Sequence, residues 1–167
     1  MSRSINIDGR DIGQNQPPYI IAEMSANHNG IIDNAFSIID LAKEAGADAV
    51  KLQTYRPDTI TLKMDSPEFM IEGGLWDGQS LYQLYENAFM PWEWHKPLFD
   101  HARKRDITIF SSPFDNSAVD LLEDLNSPAY KIASFEAIDL PLIKYVALTG
   151  KPMIISTGMA DEDEIEE

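Results

Sequence analysis

The stretch Ala49-Val50-Lys51-Leu52-Gln53 has the composition of a buried β-strand, but it carries an ammonium group and ends in an amide. Burying an unpaired charge is costly, or it shifts the pKa of the group until the group is neutral. Four other apolar runs also end in ionisable or hydroxyl residues: Tyr19-Ile20-Ile21-Ala22-Glu23, Ile107-Thr108-Ile109-Phe110-Ser111-Ser112, Ala129-Tyr130-Lys131-Ile132-Ala133-Ser134 and Met153-Ile154-Ile155-Ser156-Thr157. Five such strand ends predict one shared polar centre, as at the C-terminal rim of a parallel α/β barrel.

Composition narrows the class of protein and of partner. The 167 residues are 44% hydrophobic and 25% charged, which is typical of a globular chain. No apolar run is long enough for a membrane-spanning helix, and residues 1–8 lack the apolar core of a secretory signal. The absence of cysteine excludes thiolate and disulfide chemistry and is compatible with the cytoplasm, where we expect the protein. The net charge of −15 argues against a nucleic-acid partner, but Lys51 and Lys131 could still bind a small anion.

Helical patterns alternate with the strands. Apolar spacing and end signals predict helices over residues 33–46, with Asp33 as N-cap, and over residues 80–88, 91–104, 116–125 and 140–149. Residues 56–77 contain two prolines and a Gly-Gly pair, and we interpret them as an excursion over the rim. Strand–helix alternation with short connections predicts a parallel sheet with right-handed crossovers.

The count of elements is that of a partial barrel. Five β/α strands are predicted, whereas a complete barrel has eight strands and about 250 residues. The acidic residues from Asp161 to Glu164 predict the start of a further helix, so Glu167 would fall inside an element. We therefore expect residues 1–167 to form the first five β/α units of a TIM-type (β/α)8 barrel that stops before closure. A complete, open five-stranded sheet is the alternative.

Five segments resemble the signature motifs of the sialic acid synthase family, in the family's order and almost from end to end. They are IAEMSANHNG at 21–30, GADAVKLQT at 46–54, FSSPF at 110–114, PAYKIAS at 128–134 and GKPMIISTGM at 150–159. Within the family, the segments LWDG at 75–78, LYQLYE at 81–86, PWEWH at 91–95 and SFE at 134–136 are most similar to the pseudaminic acid branch.

The resemblance implies an enzyme that joins phosphoenolpyruvate to the open-chain aldehyde of an N-acetylated amino sugar and releases phosphate. For the pseudaminic acid branch the sugar would be a 2,4-diacetamido-2,4,6-trideoxy hexose. An N-acetylneuraminate or legionaminate synthase is the enzymatic alternative, because it shares the phosphoenolpyruvate chemistry. A non-catalytic sugar- or phosphate-binding module is the alternative of another class. The joint presence of Glu23, Lys51, Gln53 and Lys131 speaks against that module.

The resemblance also implies roles for particular residues. Glu23, Lys51 and Lys131 would be catalytic, and the substrate-binding residues would be Asn27, Gln53, Ser112, Ser134 and Ser156. A divalent metal, Mn²⁺ or Mg²⁺, would be held by histidines of later strands beyond Glu167, so no metal ligand is expected in this chain. A C-terminal antifreeze-like domain would also lie beyond it, and the parent enzyme would be a homodimer.

Plainer interpretations stay open for the candidate residues. The two lysines could extend to solvent, the serines could only end strands or cap helices, and Glu23 could be a structural partner of a rim lysine. His28 is expected to be hydrogen-bonded within its loop, and His95 and His101 are expected at the surface. The aromatic cluster is expected to pack, with a wall against acetamido groups as the alternative; it comprises Trp76, Tyr82, Tyr85, Trp92 and Trp94. Asp58 and Asp77 are possible contacts for sugar hydroxyl groups.

Overall fold

The computed structural model describes residues 4–158 and 160–166. Three parts of the sequence predictions lie outside these residues: the start of the N-terminal segment at 1–3, Met159 in the fifth motif, and the helical position of Glu167.

The main sheet has five parallel strands, and their spatial order is their order in the sequence. The strands are β3 (Ile21–Glu23), β4 (Ala49–Thr54), β5 (Thr108–Pro113), β6 (Tyr130–Ile132) and β7 (Met153–Ile155). An open doubly wound sheet reverses its strand order at a switch point, whereas a barrel adds each strand beside the last. The sequential order therefore confirms the half-barrel and not the open sheet.

Helices connect the strands: α1 (Ile32–Glu44), α2 (Pro57–Ile60), α3 (Leu81–Ala88), α4 (Trp92–Lys104), α5 (Asn116–Asp124), α6 (Leu140–Ala147) and α7 (Glu162–Glu166). All but α2 lie near predicted positions; α2 is a single turn at the start of the excursion, where no helix was predicted. Two single-turn 3₁₀ helices, Pro67–Phe69 and Gly74–Trp76, lie in the excursion, and a third spans Ser134–Ile138. Asp33 was wrongly predicted as an N-cap, because α1 already starts at Ile32 and Asp33 lies in its first turn. Ser80 does cap α3, since its hydroxyl accepts from the backbone N–H of Gln83.

The two faces of the sheet have different partners. Outward-facing residues such as Val50, Leu52 and Ile109 pack against the helices in one continuous apolar core. Inward-facing residues alternate with them along each strand. At the N-terminal end of the strands the inward face is apolar, with Ala49 and Phe110 buried there.

An N-terminal hairpin that the sequence reasoning did not predict covers this apolar end, which we call the floor. Strands β1 (Ile5–Ile7) and β2 (Arg10–Ile12) pair antiparallel, and fully buried Ile7 packs into the floor. Arg10 forms an ion pair with Asp48, the residue before β4. Residues 4–12 contain single isoleucines between polar residues and lack the continuous apolar runs by which the strands of the main sheet were predicted.

Among the described residues, no helix has both the length and the apolar composition of a membrane span.

Candidate active site

The strand register brings the predicted polar residues to one end of the inward face. Glu23 lies beside Lys51 on the neighbouring strand, and Gln53 lies beside Ser112. Residues two apart on a strand share a face, so Lys51 and Gln53 point the same way as Ala49 in the floor. The C-terminal half of the inward face, which we call the rim, is therefore polar above an apolar floor.

Lys51 is the most buried charged group of the rim. Its side chain is 9% exposed, and its Nζ lies 2.7 Å from Oε2 of Glu23. Nζ also lies 3.5 Å from Oγ of Ser112, at the long limit of a hydrogen bond. A lysine that extended to solvent would not be buried in this way, so that interpretation is wrong for Lys51.

Glu23 is the ion-pair partner of Lys51, yet its own side chain is 56% exposed. It therefore faces both the buried ammonium group and the open side of the rim. This geometry agrees with the structural-partner interpretation, and it also leaves the carboxylate accessible to a ligand.

Lys131 shares the electrostatic environment of Lys51. Burial lowers the pKa of Lys131, and the positive charge of Lys51 lowers it further, while the carboxylates of Glu23 and Glu136 oppose the shift. The Nζ of Lys131 donates to the carbonyl group of Ile132 at 3.1 Å. The repulsion that lowers the pKa of Lys131 would be relieved by a bound anion, so this arrangement favours an anionic ligand.

The other predicted ligands surround this pair of lysines less directly. Ser134 begins the 3₁₀ helix Ser134–Ile138 just after β6, and Ser156 follows β7, where its backbone N–H donates to Ile132 at 3.1 Å. Gln53 accepts from the Ser25 hydroxyl at 3.2 Å. Asn27 is in the loop after β3, where its side-chain amide donates to the backbone of its own loop.

Glu136 is a candidate that the sequence reasoning used only as a marker of the family branch. Its Oε2 atom is buried without a hydrogen-bond partner among the described residues. Burial raises the pKa of its carboxyl group, and Lys131 opposes that shift. Glu136 lines a cavity of about 570 Å³ together with Gln53 and Tyr85. The sequence signal that could have identified Glu136 is its position two residues after Ser134 at the end of a strand.

A second cavity of about 750 Å³ adjoins the rim on the side of the β3–α1 loop. Asn27 and Gln53 form its inner wall, and Trp76, Gln79 and Asn87 belong to its outer wall. The excursion and α3 supply this outer wall, so residues 56–77 do reach over the rim, as predicted.

The surface prediction for His95 is wrong. His95 is completely buried between α4 and the outward face of the sheet, where its Nε2 lies 2.8 Å from Oγ1 of Thr54. Oγ1 of Thr54 lies 2.7 Å from Oγ of Ser111, which completes a chain of three polar groups behind the rim. Burial lowers the pKa of His95 to about 4, which the backbone of Pro91 and Trp92 partly opposes. The sequence did not indicate that His95 is buried, because its neighbours along α4 include charged residues.

The other two histidines have partners within the protein. His28 is buried, its Nδ1 accepts from the backbone N–H of Gly30 at 3.1 Å, and its ring makes an edge contact with Trp94. Burial lowers the pKa of His28. His101 is half-buried, with Nε2 2.7 Å from Asp40. It is therefore less exposed than predicted.

Some members of the aromatic cluster pack within the protein, and others line the cavities. Trp94 packs against the core. Trp92 stacks with Arg56, whose guanidinium carbon lies 3.8 Å from the centroid of the Trp92 ring. Trp76 is 50% exposed and lines the larger cavity, so the packing interpretation is wrong for it. Tyr85 lines both cavities.

The two aspartates proposed as sugar contacts do not line either cavity. Asp58 lies exposed in α2, and Asp77 accepts from the backbone N–H of Gly73 at 2.6 Å within its own loop. Asp77 thus stabilises the tip of the excursion.

The described residues do not fit a resident metal ion. Among residues 4–158 and 160–166, no three His, Cys, Asp or Glu side chains are close enough to bind one. The carboxylate of Glu23 is already paired with Lys51, and His28 and His95 are packed inside the protein. No step is therefore assigned to a metal held by these residues.

The fold and the rim define a protein of the parallel β/α-barrel class, with Lys51, Lys131 and Glu23 close together at the carboxyl ends of its strands. The NeuB family model matches residues 38–167, and the chain belongs to this family. It is 53% identical over 152 residues to pseudaminic acid synthase of Helicobacter pylori, covering 91% of this chain and 45% of that protein. It is 50% identical over 147 residues to pseudaminic acid synthase of Campylobacter jejuni, covering 88% and 43%.

A solved structure has the same fold. The N-acetylneuraminic acid synthetase of Leptospira borgpetersenii, in complex with citrate, superposes with a TM-score of 0.84 at 29% identity. The match covers 99% of this chain and 53% of that one. The chain spans less than half the length of the two pseudaminic acid synthases.

Proposed function

We propose that the protein carrying this chain is a pseudaminic acid synthase. It would condense phosphoenolpyruvate with a 2,4-diacetamido-2,4,6-trideoxy hexose and release phosphate. The observation that carries this proposal is the buried Lys51, 2.7 Å from Glu23 and electrostatically coupled to Lys131 at the strand ends. The identity of 53% and 50% to two pseudaminic acid synthases supports this branch of the family over its relatives.

The lysines would bind the two anionic groups of phosphoenolpyruvate, its phosphate and its carboxylate. Charge-assisted hydrogen bonds of this kind are roughly twice as strong as neutral ones. Lys51 would exchange part of its contact with Glu23 for the ligand, and Ser112 would donate beside it. Ser134 and Ser156 would supply further hydroxyl donors from the two following strand ends. Each of these groups belongs to a strand end or to the residues directly after one, so the cradle would be largely preformed.

The reaction requires one C–C bond, one molecule of water and one leaving phosphate. Carbon 3 of the enol attacks the sugar aldehyde, whose oxygen takes a proton. Water adds at carbon 2, and the tetrahedral intermediate expels phosphate to leave the 2-keto acid. We assign the handling of this water to Glu136, because its Oε2 atom has no hydrogen-bond partner among the described residues and its side chain lines the cavity beside Gln53, where a carboxylate could orient the water or accept its proton. Glu23 would face the sugar side from the opposite flank of Lys51.

A divalent cation, Mn²⁺ or Mg²⁺, is part of the same proposal. When bound, it would polarise the aldehyde oxygen as a Lewis acid. Its ligands would come from parts of the protein outside the described residues. We also propose a homodimer in the cytoplasm for the full-length protein, on the strength of the family resemblance and the absence of cysteine.

The test is phosphate release by the full-length protein with phosphoenolpyruvate, Mn²⁺ and each of two sugars. We expect turnover with the diacetamido trideoxy hexose and at least about tenfold less with N-acetylmannosamine, because a site built to bind a polar group rejects the analogue that lacks it. A reaction without sugar is the control for hydrolysis of phosphoenolpyruvate alone. Equal or faster turnover with N-acetylmannosamine would favour an N-acetylneuraminate synthase. Binding without any turnover would favour the non-catalytic module.

A further inference from the structure

Among the residues that the structure describes, no charged group lines the larger cavity beside the rim. Thirteen described residues line it, and none of them is Asp, Glu, Lys, Arg or His. The charged groups of the rim, Glu23, Lys51 and Lys131, are all absent from this lining. A cavity of this volume that combines aromatic and amide groups suits a neutral polar ligand of sugar size.

Carboxamide side chains are the main polar groups of this cavity. Five line it: Asn27, Asn29, Gln53, Gln79 and Asn87. The amides of Asn27 and Gln53 already have partners in the protein. Within residues 4–158 and 160–166, the side chains of Asn29, Gln79 and Asn87 make no hydrogen bond to another residue. These three amides are therefore available to a ligand.

Two of the residues with available amides lie on backbone that is held in place by hydrogen bonds. Gln79 donates from its N–H to Trp76 at 3.0 Å and accepts from Ile71 at 2.9 Å, so a hydrogen-bonded turn fixes its position. Asn87 lies in the last turn of α3, whose start is capped by Ser80. Ligand binding would therefore have to order the side-chain rotamers of these two residues but not their backbone.

The position of the outer wall decides which part of a sugar it meets. Gln53 links the cavity to the rim, since it lies beside Ser112 in the sheet and also lines the cavity. A sugar aldehyde must lie next to phosphoenolpyruvate at the rim for the C–C bond to form. The outer wall of Trp76, Gln79 and Asn87 would then contact the half of the sugar away from the aldehyde, which carries the 4-acetamido group.

We infer that Gln79 and Asn87 recognise the acetamido group that is remote from the aldehyde, and that the ring of Trp76 covers its methyl group. An amide side chain can both donate to the acetamido carbonyl and accept from its N–H. The half-exposed indole offers a large apolar surface for the methyl group. This inference rests on the proposed function and names the residues that would determine its sugar specificity.

The kinetic test uses the full-length protein with Gln79→Ala, Asn87→Ala and the double variant. The two substrates are the diacetamido hexose and its analogue with a hydroxyl group in place of the remote acetamido group. We expect each single variant to lower kcat/KM for the diacetamido sugar by about tenfold and to leave the analogue within about twofold, because only the first substrate loses a hydrogen bond. The KM for phosphoenolpyruvate should not change. Gln16→Ala, an exposed amide outside both cavities, is the matched control.

A second measurement does not depend on turnover. The chain has three tryptophans, and only Trp76 lines the cavity, because Trp92 is stacked on Arg56 and Trp94 packs against His28. Titration with the diacetamido sugar should change tryptophan emission in the wild type, and Trp76→Phe should abolish the change. The double variant should require at least about tenfold more sugar for the same change, for the same loss of hydrogen bonds.

The outcomes separate the two proposals. If the wild type turns over the diacetamido sugar and the variants keep its preference for that sugar, the inference is wrong while the proposed function stands. If Trp76→Phe retains the full emission change, the sugar does not bind against this wall. If the wild type turns over neither substrate, the proposed function is wrong, and the inference that rests on it is wrong as well.

Discussion

The lysine pair at the rim is the residue-scale feature on which the proposed chemistry depends. Lys51 forms an ion pair with Glu23, whereas Lys131 has only a backbone carbonyl as its hydrogen-bond acceptor among the described residues. Lys131 is therefore the ammonium group with more to gain from an incoming anion. Its lowered pKa also means that it loses its proton at less alkaline pH than an ordinary lysine.

Lys131→Ala in the full-length protein should raise the KM for phosphoenolpyruvate by at least tenfold, or about 1.4 kcal/mol, because a charge-assisted contact is lost. The KM for the sugar should stay within about twofold if the sugar binds in the uncharged cavity. Steady-state phosphate release with each substrate varied in turn gives both constants. Lys104→Ala, an exposed lysine at the end of α4, is the control. An unchanged KM for phosphoenolpyruvate would remove Lys131 from the anion site.

At the scale of elements, helix α4 holds the strand ends from behind. His95 contacts Thr54 at the end of β4, and Thr54 contacts Ser111 in β5. Thr54 and Ser111 are the chain neighbours of Gln53 and Ser112, which face the rim. Trp94, one residue before His95, packs against His28 in the loop after β3. One turn of one helix therefore fixes three of the five strand ends.

This arrangement predicts an acid-sensitive stability. The pKa of His95 is lowered from 6.5 to about 4, so its stabilising contribution is complete above pH 6.5 and is lost as the pH falls toward 4. The unfolded chain binds the proton more tightly than the folded protein, so the loss should approach about 3 kcal/mol near pH 4. Urea unfolding of the full-length protein between pH 7 and pH 4 measures it. His95→Gln should lack this component, and His101→Gln on the same helix should keep it. Parallel pH curves for the wild type and His95→Gln would contradict the prediction.

Elements with a strong periodic pattern were predictable, and their contacts were not. The strands around Lys51 and Lys131 and the helix capped by Ser80 follow local signals that the structure keeps. The burial of His95 and the partnerless oxygen of Glu136 depend on neighbours that are distant in sequence, so local pattern could not show them. The larger cavity depends on how the excursion folds back through the Met70–Ser80 bridge, which no motif encodes.

At the scale of the whole molecule, the described sheet has two edges. Among the described strands, β3 pairs only with β4, and β7 pairs only with β6. Ile155 in β7 is 41% exposed, and Leu140 and Ile165 near it are also exposed. Open strand edges and exposed apolar side chains both favour association with other chains.

The 167-residue chain on its own should therefore self-associate, and it should show no phosphate release with both substrates and Mn²⁺. Sedimentation velocity over a range of concentrations measures the association. Ile155→Lys should weaken it by at least about fivefold, because a charge on an edge strand opposes pairing. Ser117→Lys, which adds the same charge to an exposed position of α5, should have little effect. A monomer at every concentration would show that the open edges do not cause association. Metal-dependent turnover by this chain would show that the rest of the barrel is dispensable for activity.

The hairpin that covers the floor has a practical consequence for laboratory evolution. Ile7 and Phe110 stabilise one end of the strands, while Lys51, Gln53 and the cavity wall occupy the other end. Substitutions in the floor can therefore change the melting temperature without replacing any residue of the cavity wall. A mutational library restricted to the floor would yield proteins of higher thermal stability with the same sugar selectivity. Such a protein would then tolerate more destabilising substitutions in the cavity wall.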